Sequence, residues 1–291
     1  MHKKHLYLIL LILGTAFWGV SFSFVKVGVG TGSPFVFLSY KFFIASIFLA
    51  IIFFNQLKYI TKKTFRISIL IGIPLLAGTI FQTIGLKHTT ISNSAFITGL
   101  DVLLIPILKF LVYKKKVNPK IWLACILALI GLYIIVVKDG LSLNVGDIWT
   151  VACAFGFAFY VLQVGAVSNE ERPMPSVILL MLFCAVGTFI FALFDIDTIW
   201  FPNTNGFWTS IIFTALPATA YMYAVQNIGQ RYLGEEKVAL TYLFEPVFAT
   251  IAGMIILNEK ITNEIIIGGV FIILSMFIAE MKTKKSVKNS V

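Results

Sequence analysis

Apolar runs of about 17 to 25 residues, the length a bilayer's hydrocarbon core requires, recur along this chain from end to end. They fall at about 6–27, 34–54, 67–86, 92–112, 121–137, 146–167, 175–194, 206–228, 238–257 and 264–281, the fifth being the shortest. Composition points the same way: 59% of the 291 residues are hydrophobic and 12% charged, against about 45–50% and about 25% in a soluble domain. A chain in lipid must satisfy its backbone internally, and the alternation expected of barrel strands is missing, so the runs read as helices. The expected fold is an all-α integral membrane protein with ten transmembrane helices. The first run follows His2-Lys3-Lys4-His5 as a signal peptide would, but Phe17 and Trp18 are bulky and no small-residue cleavage site follows, so it reads as a retained span.

Lysine and arginine set the expected orientation. With the N-terminus inside, the inner segments hold Lys3, Lys4, Lys58, Lys62, Lys63, Arg66, Lys114, Lys115, Lys116, Lys120, Arg172, Arg231, Lys237, Lys282, Lys284, Lys285 and Lys288. Only Lys87, Lys138 and Lys260 fall outside. Seventeen against three puts both termini in the cytoplasm.

The same distribution explains the net charge of +10. The excess sits in short loops and the tail, where membrane topology puts it, so nucleic acid is not an expected partner. Cys125, Cys153 and Cys184 lie singly in different spans, and His2, His5 and His88 are dispersed. No metal site, cofactor or disulfide framework is expected from them. No nucleophile–base constellation suggests an enzyme, and no G-x-x-x-x-G-K-[ST] suggests a built-in ATPase.

Ten spans suggest five plus five. The fourth and fifth overlay the ninth and tenth with Pro106 on Pro246, offset 140, and Lys116-Val117 on Lys260-Ile261, offset 144, so the overlay needs one inserted helical turn. An odd number of helices per repeat turns the second half upside down, an arrangement that marks transporters and places the substrate site between halves. The expected units are 1–137, 146–281 and a basic cytoplasmic tail, 282–291.

WGVSFSFVK at 18–26, NSAFITGL at 93–100 leading to Pro106, and above all QNIGQRYLGEEKVALTYLFEPVFATIAGMIILNEKIT at 226–262 resemble the drug/metabolite transporter superfamily, in its ten-helix EamA family. The resemblance covers nearly the whole chain. It implies an inverted five-plus-five fold with both termini cytoplasmic, and it puts Glu245-Pro246 on the family's Glu-Pro motif of the ninth helix.

Proline kinks a helix and frees carbonyls, and a carboxylate in lipid should face protein or water. Glu245 is therefore either a brace beside a hinge at Pro246 or a transport residue. Pro106 reads as a second hinge. Asp101 departs from the family pattern, where a tyrosine or apolar residue is commoner. With Ser94 and Thr98 it forms a polar stripe expected to line a cavity or to hydrogen-bond between helices. Lys41 matches a position where the family commonly has arginine. At ~1.5 Å per residue it lies about 10 Å deep and Asp101 about 13 Å deep, so the two are expected to meet, as an ion pair or around the two ends of a zwitterion. Trp18, Gln82, Tyr221 and Gln226 are further candidates for the cavity wall, while Lys26 and Lys109 read as snorkelling to headgroups.

These readings lead to a secondary transporter of a small organic metabolite, an amino acid or related amine, working by alternating access and exporting, with a coupling proton as a second partner. Export of cationic or multidrug compounds is the alternative. The lysine-rich, arginine-poor composition suggests a bacterial inner membrane, with the protein a monomer or homodimer in the bilayer.

Overall fold

The computed structural model describes residues 3–30, 32–89, 91–136, 144–169, 172–196, 198–245, 247–249, 251 and 263–281. Pro246 and the tail 282–291 lie outside the described residues. Among the described residues all regular structure is helical. Five helices are each long and apolar enough to cross a membrane: α1 (Lys3–Val29), α2 (Pro34–Ile52), α3 (Lys62–His88), α7 (Val145–Val167) and α8 (Pro173–Phe194). They form the first, second, third, sixth and seventh spans.

The other spans are shorter or broken. The fourth is α4 (Ile91–Thr98) and α5 (Asp101–Leu111), parted by a turn at Gly99 and Leu100. The fifth is α6 (Pro119–Val136) and the tenth α12 (Asn263–Glu280). In the eighth, α9 (Asn205–Ala215) passes through a π-helical segment, Leu216–Tyr221, into α10 (Met222–Gly229). The ninth begins as α11 (Glu235–Tyr242), turns at Leu243 and is helical again at Phe244 and Glu245. All ten apolar runs are thus helical where described. Sharp starts have local causes: Ser33 accepts from the amides of Phe35 and Val36 ahead of Pro34 in the first turn, and Asn144 and Asp147 form a capping box at the head of α7.

Packing follows an exchange of halves. The third span packs on the sixth and the eighth on the first; the third also packs on the seventh and the eighth on the second. The second pairs with the seventh and the fifth with the tenth, contacts that map onto themselves when the halves swap. Such a set of neighbours is what a two-fold relation between two five-helix sets produces, and with five helices apiece the sets are inverted.

The two broken spans fix the register of that relation. Their helices end at Thr98 and Tyr242 and their acids stand at Asp101 and Glu245, in both cases 144 positions apart. The breaks also touch, since a Cβ added to Gly99 would stand 3.2 Å from Leu243 Cδ2. In this register Pro106 falls opposite Thr250, so the overlay of Pro106 on Pro246 is corrected: the carboxylates and the turns are the matching features. Nor is Pro106 where the fourth span breaks. It sits buried inside α5 and frees the carbonyl of Val102 one turn earlier, which accepts from the Cys125 thiol at 3.3 Å.

The third–sixth crossing is close. A Cβ on Gly156 would lie 2.7 Å from Gly78 Cα, and one on Gly146 2.7 Å from the Gly85 carbonyl oxygen, so backbone meets backbone as small residues allow between membrane helices. One end is knotted by polar groups. Thr89 donates to Asp147 Oδ1 at 2.6 Å and accepts from Asn144 Nδ2 at 3.2 Å. Lys26 does not snorkel: its Nζ donates to the Thr89 carbonyl at 3.0 Å, at the end of α3.

Candidate functional site

A cavity of about 80 Å³ lies between the halves, with room for a handful of waters at roughly 10–15 Å³ each. Its wall draws on both halves. Trp18, Lys41, Gln82, Thr98 and Asp101 come from the first four spans, and Gln226 and Glu245 from the eighth and ninth. Seven of the eight residues singled out in the sequence thus share one space.

The acids reach it because their helices are broken. Asp101 opens α5 directly after the Gly99–Leu100 turn and is 3% exposed. Glu245 stands two residues past the Leu243 turn, on backbone that Gly19 of α1 lets close: a Cβ there would be 2.6 Å from the Glu245 carbonyl oxygen. The two acids line the same cavity. Among the described residues no side chain hydrogen-bonds or ion-pairs with either; the ion pairs found join Lys109 to Glu235 and Glu236.

That overturns the expected pair between Lys41 and Asp101. Lys41 is buried on α2, its Nζ 4.7 Å from the Phe42 ring centroid and its charge acting on Cys184 of α8. Counting residues from the outer ends gives depth and says nothing of direction around the bundle; the two residues line the cavity from α2 and α5 without pairing. Ser94 is corrected too. It is buried, its Oγ has no partner among the described residues, and it lies outside the cavity wall; it stands one turn before Thr98 in α4, so only the end of the stripe reaches the cavity.

Tyr221 does not line the cavity. Its hydroxyl donates to the Leu10 carbonyl at 3.0 Å and its ring meets Phe17 edge-on, tying the π-helical segment to α1. Trp18 shares that duty: its indole N–H donates to the Ala218 carbonyl at 2.6 Å, which leaves the ring, not the donor, for the cavity. Gln226 is fully buried; its Nε2 donates to Gln230 Oε1 at 3.1 Å, and its Oε1 has no partner among the described residues.

Sequence reasoning missed three tyrosines. Tyr242, the last residue of α11, lines the cavity with Glu245 and has a buried hydroxyl without a partner among the described residues and a ring 5.0 Å from Trp18. Tyr223 lies 5.9 Å from Trp18 and 5.7 Å from Tyr160, and the Tyr160 hydroxyl accepts from Asn227 Nδ2 at 2.9 Å. The i, i+3 spacing to Glu245 was the one signal available, for Tyr242. Lys109 was misread as a snorkelling residue: its Nζ reaches Glu235 Oε2 at 2.8 Å and Glu236 Oε1 at 2.7 Å, joining the fourth span to the ninth.

A sequence profile of the EamA-like transporter family matches residues 5–137 and again 144–281. The chain belongs to that family. An EamA-like chain of this kind is 30% identical over 277 residues to an uncharacterized transporter of Archaeoglobus fulgidus, covering 94% of this chain and 85% of the other. It is 27% identical to the uncharacterized transporter YyaM of Bacillus subtilis, over 95% and 94% of the two chains. A riboflavin transporter of Vibrio cholerae matches at 28% identity over 60% of this chain and 57% of its own. One solved crystal structure superposes with a TM-score of 0.79 over 96% of each chain at 14% identity, which shows a shared fold. The EamA-like chain is therefore a multi-pass membrane protein of a transporter family.

Proposed function

We propose that this EamA-like protein is a secondary transporter that moves an amino acid or related small amine out of the cell by alternating access, from a bacterial inner membrane with both termini in the cytoplasm. The observation that carries this reading is a pair of acids, buried Asp101 and half-buried Glu245, which face one cavity between the halves with no ion pair of their own among the described residues. A buried carboxylate is retained at such a depth when something positive visits it. Lys41, on another wall, offers the opposite charge to a substrate carboxylate. The rings of Trp18, Tyr223 and Tyr242 stand together beside the acids and favour a second reading, export of organic cations held by ring faces and carboxylates together.

The test is flux in sealed proteoliposomes with a panel of amino acids, monoamines and aromatic cations, with and without a proton gradient. Asp101→Asn should cut amine flux about 30-fold or more, since losing one member of a buried charge contact costs about 2–5 kcal/mol. Unchanged flux in a well-inserted variant would remove Asp101 from the site. Uptake of aromatic cations alone would decide for the second reading.

A further inference from the structure

The ionisable groups of the cavity can be counted wall by wall. Lys41 comes from α2, Asp101 from α5, Tyr160 from α7, Tyr223 from α10, Tyr242 from α11, and Glu245 from the residues after it. Cys125 of α6, Cys153 of α7 and Cys184 of α8 are buried free thiols that do not line the cavity. Phenols and thiols carry no charge near neutral pH. The formal charge of the space is then that of two carboxylates and one ammonium, a net of one negative.

That remainder is symmetric in origin. Asp101 and Glu245 are 144 positions apart, each just beyond the break of its helix, and the breaks touch at Gly99 and Leu243. The two acids are equivalent positions of the two halves, set about the axis that relates them. The wall around them also keeps two acceptors unspent. Among the described residues Gln226 Oε1 and the Tyr242 hydroxyl are unpartnered, on residues that are 0% and 8% exposed, as expected where a donor-bearing guest completes the set.

We propose that Asp101 and Glu245 act as one site that carries a single exchangeable positive charge, a proton or a substrate ammonium, and that Lys41 fixes the number at one. A net charge held between the halves is expensive in a low-dielectric interior, so the loaded, neutral state is the one that changes access. A proton bound to an oxygen of either carboxylate neutralises the space. An arriving ammonium does the same, and the proton then leaves that oxygen for water on the open side. A monocationic amine and a proton therefore exclude one another and exchange one for one. A zwitterion adds no net charge and leaves the single negative charge in place, so it crosses only beside the proton and leaves the cell only down its own gradient; the monocationic amine, exchanged for an entering proton, is the substrate whose export the proton gradient drives. This rests on the transport reading above for its substrates, but the proton count does not.

Purified protein in weakly buffered detergent, with no substrate present, is titrated between about pH 9 and pH 5 and its bound protons are counted. Asp101→Asn and Glu245→Gln should each take up one proton fewer than wild type, because with either amide the remaining carboxylate and Lys41 already cancel. Glu245→Asp should keep the wild-type count, which guards against a folding defect. Lys41→Met, compared with wild type over the part of the titration between about pH 7 and pH 5, where the wild-type ammonium is already formed, should take up one proton more. A count that falls in only one of the two amide variants, or that fails to rise in Lys41→Met, overturns the proposal. Adding ethanolamine to wild type at about pH 6 should release one proton per chain, and adding alanine none; ethanolamine binding without release also overturns it. If neither probe binds, the amine reading fails while the proton count still decides the shared site.

Discussion

The third–sixth and first–eighth crossings occupy equivalent places in the two halves, yet they are built from different materials. At the first of these, Gly78 and Gly156 press backbone on backbone, and Thr89, Asn144 and Asp147 lock one end. At the other, Gly14 faces the thioether of Met222, and the contact is completed by side chains: the Trp18 indole on Ala218 and the Tyr221 hydroxyl on Leu10. The helix on that side also carries a π-helical segment, an extra residue in its winding. A glycine crossing has no slack, because neither backbone can yield without its neighbours. A crossing made through Met and Trp can slide, since those side chains change rotamer while the helices stay whole. Symmetry in the chain trace therefore coexists with asymmetry in stiffness, and the softer crossing carries Trp18 at the cavity wall.

Three substitutions break or sharpen this comparison. The largest effect is expected from Gly156→Ala, whose methyl would meet the Gly78 backbone at 2.7 Å. Backbone cannot step aside, so a loss of about 2–3 kcal/mol is expected, read as early loss of the monodisperse peak after heating in detergent. Trp18→Phe comes next. It keeps an aromatic ring but removes the donor to Ala218, for about 1–2 kcal/mol, and in transport assays it should change rate more than affinity if the ring alone faces the substrate. The smallest effect is Gly14→Ala, where the new methyl meets only the flexible end of Met222. Melting within about 1 kcal/mol of wild type is expected there. Equal losses in the two glycine variants would show that the crossings are equally stiff.

The sequence made the spans legible because lipid demands long apolar runs whatever the neighbours are. It also pointed to Asp101 and Glu245, since an acid in such a run is conspicuous. Direction around the bundle was not legible. Lys41 and Asp101 count to similar depths yet do not pair, and a count along a helix reports height only. Trp18 and Tyr221 looked like cavity aromatics because nothing in their own helices reveals which carbonyl of another helix takes their donors. The prolines misled the repeat register. Pro106 and Pro246 are the easiest residues to overlay, but the turns after Thr98 and Tyr242 are what the halves share.

Lys109 brings one more consequence. Its ammonium lies between Glu235 and Glu236 at 2.8 and 2.7 Å, with the three side chains 11–17% exposed, and Glu235 rests over Gly165 of α7. Three helices drawn from both halves are thereby fastened at the end of the bundle where α1 begins. An apolar seam parts gradually, residue by residue, as water follows. One cation shared by two anions gives no such intermediate: parting the three side chains exposes an ammonium and two carboxylates together, and dissolved salt lowers that cost by screening the freed charges.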